Sequence, residues 1–281
     1  MRNHGRVGLL AVKLLLAPSF VVAASLAARR YGPRVGGLIA GLPVVAGPIL
    51  LAYALAHGSA FAAGAAVGTL LGLVSLIAFV VVYARLAGRW RWGVSMLAGW
   101  LAFAVATAIF SAISVGAGAA LAIAGAGLLI GLAATPRAPS EVGERAPVPA
   151  WDLPMRAICA LALVLTLTAV AGWLGPQLSG LLAPFPIIAT VLATFTHAQH
   201  GAEEAQRLLR WLLGGYGAFA LFCFTLAVSL PPLGTGASFA LATAVALLTQ
   251  GLLIALLARM PSVSAPPITS TPGALSSRSG G

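Results

Sequence analysis

Four prolines stand where a membrane-crossing helix tolerates them least. Pro43 and Pro48 interrupt the apolar run 35–56, and Pro184 and Pro186 interrupt the run 178–196. Each removes a backbone donor and clashes with the preceding turn. Inside a bilayer such breaks persist only where protein or a cavity re-satisfies the freed carbonyls. In secondary transporters, broken helices near the midplane present half-helix N-termini, partially positive, to anionic groups. A packing kink is the plainer reading of any single break, since proline is common in membrane helices.

Lys13 is the second candidate for chemistry. It lies about seven residues, roughly 10 Å, inside its apolar run. An ammonium there either snorkels to the interface or faces the bundle interior, where it needs a partner. No carboxylate lies within an apolar run: Glu141, Glu144, Asp152, Glu203 and Glu204 all fall in loops or flanks. The interior partner is then backbone carbonyl, water or an anionic ligand. The same lack of acids argues against a carboxylate proton relay. Arg156, close to the polar linker, reads as interfacial. His57, His197 and His200 lie at or beyond run ends, where solvated or capping histidine is ordinary; gating by protonation is the sharper alternative. Cys159 and Cys223 sit in separate runs, with neither metal-ligand spacing nor a disulfide framework. There is no HExxH, no GxSxG, no paired intramembrane Asp and no acidic cluster. The residues point away from an enzyme and call for no cofactor or metal.

These residues need a membrane scaffold to position them. Sixty per cent of the chain is hydrophobic and 7% is charged, against roughly a quarter charged in soluble domains. Apolar stretches of about 20 residues, the length that crosses a hydrocarbon core, recur along the chain. The class is an all-α integral membrane protein, with the lipid bilayer as its surroundings. A net charge of +11 would suggest nucleic acid in a soluble protein. Here the arginines sit in short clusters between apolar runs, which is a topology signal and not a nucleic-acid surface. The N-terminus resembles a signal peptide, but Lys13 interrupts it and it belongs to the repeat described next, so it reads as a retained first helix.

The expected spans are 7–28, 35–56, 60–84, 93–113, 117–134, 155–174, 178–196, 208–229 and 237–258. The uncharged run 93–134 would be about 63 Å long as one helix, twice the hydrocarbon thickness, so it folds back near Ser114–Gly118. Residues 1–134 form a first, five-span repeat and 155–260 a second, four-span repeat. A Pro-rich cytoplasmic linker, 135–154, joins them, and a tail, 261–281, has a disordered composition. Residues 32–58 match 175–201 at nine of 27 positions without a gap, where composition alone gives roughly two or three. Pro33 pairs with Pro176, Pro43 with Pro186, His57-Gly58 with His200-Gly201, and Lys13 with Arg156.

Nine spans place only Arg2 and Arg6 on one side and twelve arginines, from Arg29 to Arg278, on the other. The positive-inside rule makes the second side cytoplasmic, with the N-terminus outside and the C-terminus inside. An odd number of spans before the linker inverts the second repeat relative to the first, an arrangement common among secondary transporters. Gly64, Gly68 and Gly72, and Gly127 and Gly131, fall at four-residue spacing, which reads first as close helix packing and second as a glycine-lined path.

SGLLAPFPIIATVLATFTHAQHGAEEAQRLL, residues 179–209, resembles the core of the GlpM family of small bacterial inner-membrane proteins. Gly180, Leu181, Phe185, Pro186, Gly201, Glu204, Ala205 and Arg207 match its pattern, and Arg156 stands where that family carries a Lys. The first repeat fits less well, with Leu42-Pro43 replacing Phe-Pro and no acid after Gly58. The resemblance implies a bacterial inner-membrane location and a link to exopolysaccharide production. Two functions follow as expectations. The first is a carrier or flippase-like transporter for a small solute or lipid-linked group, anionic in the sharper form, with Lys13, Leu42, Pro43, Phe185 and Pro186 at a site between the repeats. The alternative is a non-transporting scaffold or assembly partner in envelope polysaccharide production.

Overall fold

A computed structural model describes residue 19 and residues 21–137, 151–162 and 184–259. Lys13, the expected linker from 138 to 150, most of the sixth span, the start of the seventh and the tail lie outside the described residues. The elements are all helical: α1 (21–31), α2 (Pro33–Ala40), α3 (Ala46–His57), α4 (Ser59–Ala87), α5 (Trp92–Ser111), α6 (Ala117–Ala134), α7 (152–162), α8 (Ile187–His200) and α9 (Ala202–Arg259).

Among the described residues four helices are long and apolar enough to cross a membrane: α4, α5, α6 and the Ala202–Leu256 stretch of α9. Their lipid-facing residues are apolar too. Leu97, Leu101, Leu129, Ile130, Leu248 and Leu252 all point outward, the reverse of a surface helix in water. The expected span 117–134 coincides with α6 at both ends. The expected span 35–56 is two short helices, α2 and α3, separated by a non-helical stretch at 41–45. At about 12 and 18 Å, neither crosses alone.

α9 combines two of the expected spans. Gly234, at φ 73° and ψ 178°, breaks its helical geometry just after Pro231 and Pro232. The chain doubles back there, because the Phe222 and Phe239 rings meet edge to face with centroids 6.3 Å apart. Limbs 202–233 and 235–259 are therefore antiparallel, about 48 and 38 Å long. The first limb starts at 202 rather than 208. Glu203 and Glu204 occupy its first turn, where carboxylates complement the helix dipole.

Gly58 and Gly201 share one conformation, φ 87° and ψ 169° against φ 85° and ψ 175°. That region is essentially glycine-only. Each glycine N–H closes the helix before it, on Ala54 and His197 respectively, and each carbonyl accepts from the helix after it, from Ala62 and Ala205. One residue thus ends a helix and begins the next. Gly32 does the same between α1 and α2.

α4 and the first limb of α9 form the centre of the bundle and run antiparallel. Gln206, near the start of α9, donates to the Ala84 carbonyl near the end of α4 at 2.8 Å. Further along, Ile77 and Leu213 meet at Gly131. Since α4 is about 43 Å long, Gly58 and Gly201 lie at opposite ends of this pair.

The end holding Gly201 is the basic one. Arg85 donates to the Ala134 carbonyl at 2.9 Å, and Arg210 to the carbonyls of Leu132 and Thr135 at 2.6 and 3.1 Å. Both satisfy the open C-terminal carbonyls of α6 and place cations at the negative end of its dipole.

Of the expected packing glycines, Gly127 and Gly131 lie against a neighbouring helix, whereas Gly64 and Gly68 stand in open space. A methyl group at Gly64 or Gly68 would meet nothing within 4 Å, whereas at Gly131 it would lie 2.6 Å from Ile77. Contact of backbone with the backbone of α9 involves other glycines. Added Cβ atoms at Gly37, Gly41 and Gly215 would lie 2.6–2.7 Å from backbone atoms of the facing helix. α2 therefore rests backbone against backbone on α9.

Candidate functional site

The two proline breaks meet. Leu42 and Pro43 of the first, and Pro184, Phe185 and Pro186 of the second, line a single cavity with residues of α2, α3, α4, α8 and α9. Its lining contains five pairs separated by 143 positions: Leu42 and Phe185, Pro43 and Pro186, Val45 and Ile188, Ala46 and Ala189, Leu76 and Phe219. Four of the five expected site residues are thus brought together, and Lys13 lies outside the described residues.

Position along the helices puts the cavity at mid-depth. Leu76 is 17 residues from the start of α4 and 11 from its end, about 26 and 17 Å. The local sequence dictates the break at each proline. Pro43 lacks an N–H, and the chain bridges it with short bonds, Val44 N–H to Leu42 C=O and Gly47 N–H to Pro43 C=O, both 2.8 Å. Around Pro186 the bonds run from Ile187 N–H to Phe185 C=O and from Thr190 N–H to Pro186 C=O, both 2.7 Å. α3 and α8 then start at the cavity, with Val45 and Pro186 as N-caps and no side-chain capping bond at either. Two partially positive helix ends therefore face one space.

That space is small and apolar. It offers about 40 Å³ to water centres, room for roughly three waters. Among the described residues Tyr216 supplies the sole polar side chain of the lining.

Each break has its own support. The Leu38 carbonyl, one turn before the first break, accepts from the buried Gln250 amide at 2.7 Å. At the second, Trp100 and Phe103 of α5 pack on Phe185 with ring centroids 5.8 and 5.3 Å away, and the Trp100 indole N–H donates to Thr190 Oγ1 at 3.0 Å. Neither Gln250 nor Trp100 was singled out by the sequence; a polar or aromatic residue in an apolar run has many possible neighbours.

A second polar cluster lies at the basic end. The Asp152 carboxylate accepts from Arg29 of α1, from Arg156 one turn on in α7 at 2.8 Å, and from the Gln199 amide of α8. Asp152 was expected in the linker and Arg156 at the interface. Both are buried, at 0 and 4% exposure, because each supplies what the other needs out of water. Phe195 stacks under the Arg156 guanidinium at 5.1 Å. Burial alone would raise the Asp152 pKa; hydrogen bonds from Arg156 and Gln199, the Arg156 charge and the Arg29 bond outweigh it and hold the carboxyl below its ordinary range. Next to this cluster the Tyr83 hydroxyl lies 3.4 Å from His197 Nδ1. His57, by contrast, is exposed at the opposite end against Tyr53 and Phe61.

Among the described residues no three His, Cys, Asp or Glu side chains converge on a metal position. Comparison with family models, curated proteins and solved structures gives no match. Residues 184–209 have a structural role within this chain. Phe185-Pro186 makes the break, Gly201 the one-residue hinge, and Glu204 pairs with Arg207 at 2.6 Å in the first turn of α9.

Proposed function

We propose that the chain is a nine-span, inverted-repeat carrier or flippase-like transporter of the bacterial inner membrane, a duplicated relative of GlpM-type proteins. Its basic end faces the cytoplasm, and its substrate is a small solute or lipid-linked group bearing an anion. One observation carries this reading: the mid-depth cavity is lined by pairs of residues 143 positions apart, as a site on a pseudo-two-fold axis would be. The opposite placement of the matching hinges Gly58 and Gly201 supports the inversion. The two uncapped helix N-termini support an anionic group, and the apolar lining supports a compact, largely apolar body attached to it. The cavity holds about three waters, and a substrate enlarges it by separating the two breaks.

Ala46→Phe, which fills the cavity, tests the reading. Purified protein is screened by melting temperature against small monocarboxylates and phosphate monoesters, then reconstituted for flux of whichever class stabilises it. The expected result is a compound that raises Tm in the parent, leaves Ala46→Phe unshifted, and crosses vesicles only with the parent. Equal Tm shifts and equal flux in parent and variant would remove the cavity from the function. Stable isolation with a polysaccharide-synthesis partner, and no flux, would favour the scaffold.

A further inference from the structure

The Asp152 cluster joins two groups of helices that the repeat would make separate bodies. Arg29 belongs to the first unit, in the α1–α2 hairpin where Gly36 closes on Ala24 and Ala28. Asp152, Arg156 and Gln199 belong to the second. The cluster lies at one end of α8 and the cavity at the other. Gln199 and Ile188 are eleven residues apart, about 16 Å along the helix.

The three arms on Asp152 are unequal. Arg156 sits four residues on in the same helix with its side chain 5% exposed, while the Arg29 side chain is 32% exposed. Withdrawing Arg29 into water therefore leaves a neutral, hydrogen-bonded Asp152–Arg156 pair and no unpaired buried carboxylate. The costly half of the cluster stays intact, and the half that crosses between units is the releasable one. Among the described residues the other end shows no buried carboxylate cluster. At the 143-residue offset, Asp152, Arg156 and Gln199 correspond to Leu9, Lys13 and Ala56, which cannot rebuild a carboxylate with cationic and amide partners.

We propose that Asp152 is a latch: with Arg29 and Gln199 it holds the basic end closed over the cavity, and loss of the Arg29 arm opens that end alone. The latch rests on the reading of the cavity as the path of a solute. It makes access to the cavity from the basic end depend on one charged contact.

The test reads access, not transport. In protein with Cys159 and Cys223 replaced by alanine, a single cysteine at the cavity residue Ala189 is reacted with a membrane-impermeant cationic methanethiosulfonate in inverted vesicles. Arg29→Gln and Arg29→Leu, which leave the Asp152–Arg156 pair in place, are expected to speed labelling about tenfold or more, as loss of a charge-assisted contact would. Arg85→Gln, at the same end but bonded to α6, and a cysteine at the buried Ala66, are expected to show no increase. Unchanged labelling in both latch variants overturns the proposal, and so does equal acceleration in Arg85→Gln or at Ala66, which would mean general loosening. A protein that moves no solute yet shows Arg29-dependent labelling would refute the carrier and keep the latch.

Discussion

The first and second broken helices solve the same problem with different materials. In the first, α2 lies on α9 through Gly37, Gly41 and Gly215, with backbone in contact with backbone, and Gln250 takes up a carbonyl before the break. In the second, side chains do the work: Trp100 and Phe103 cover Phe185, and Trp100 holds Thr190. The far ends differ as well. α8 is tied to Asp152 through Gln199, whereas the matching position on α3 is Ala56, which is exposed.

The difference shows what two segments with the same break have to share. The proline and the hinge glycine set the backbone path, and both segments have them. The support around the break needs only to satisfy freed carbonyls and fill space, so it can diverge. Backbone contact has no rotamer to give, whereas an aromatic cover can repack. One side is rigid and the other adjustable, and only the adjustable one is latched.

Four substitutions and one change of pH press on this contrast. Gly215→Leu should have the largest effect, since even its Cβ would lie 2.7 Å from the Leu38 carbonyl. The expected loss is about 3 kcal/mol or more, seen as failure to recover monodisperse protein in detergent; Gly64→Ala, in open space, should express and melt like the parent. Acid should act next, through the second unit alone. The Asp152 carboxyl is held below its ordinary range, so its stabilising contribution is fully present above the unfolded value of about 4 and fades as pH falls through the lower folded value. Asp152→Asn should remove that acid-sensitive component of Tm. It should also cost about 3–5 kcal/mol at neutral pH, because two arginines lose their counter-charge. Trp100→Phe should be mildest, about 1 kcal/mol for one lost hydrogen bond with the aromatic cover retained. A loss as large as that of Gly215→Leu would erase the distinction between rigid and adjustable support.

Much of this architecture is legible in the sequence, and the rest is hidden for identifiable reasons. Proline and glycine act locally, so the breaks at Pro43 and Pro186 and the hinges at Gly58 and Gly201 follow from residue type and repetition. The limits of α6 follow from hydropathy and from the uncharged run that must fold back. Glycine spacing, by contrast, says that a helix has a small face but not whether a neighbour lies against it. That is why Gly64 and Gly68 read like packing glycines and Gly37, Gly41 and Gly215 did not stand out. The Asp152 cluster was hidden because its partners are drawn from residues 29, 156 and 199, and because a carboxylate in a Pro-rich polar stretch reads as solvated. Lys13 lies outside the described residues.

The central claim is that the two units are inverted, and Ala60 and Glu203 offer its most direct test. They occupy matching positions just after the two hinges, and both are exposed. Single cysteines there, in protein lacking Cys159 and Cys223, are labelled in intact cells with an impermeant thiol reagent and again after permeabilisation. The inverted arrangement predicts labelling at position 60 in intact cells and at position 203 only once the membrane is opened. Labelling of both positions from the same side would put the units the same way up and contradict the account.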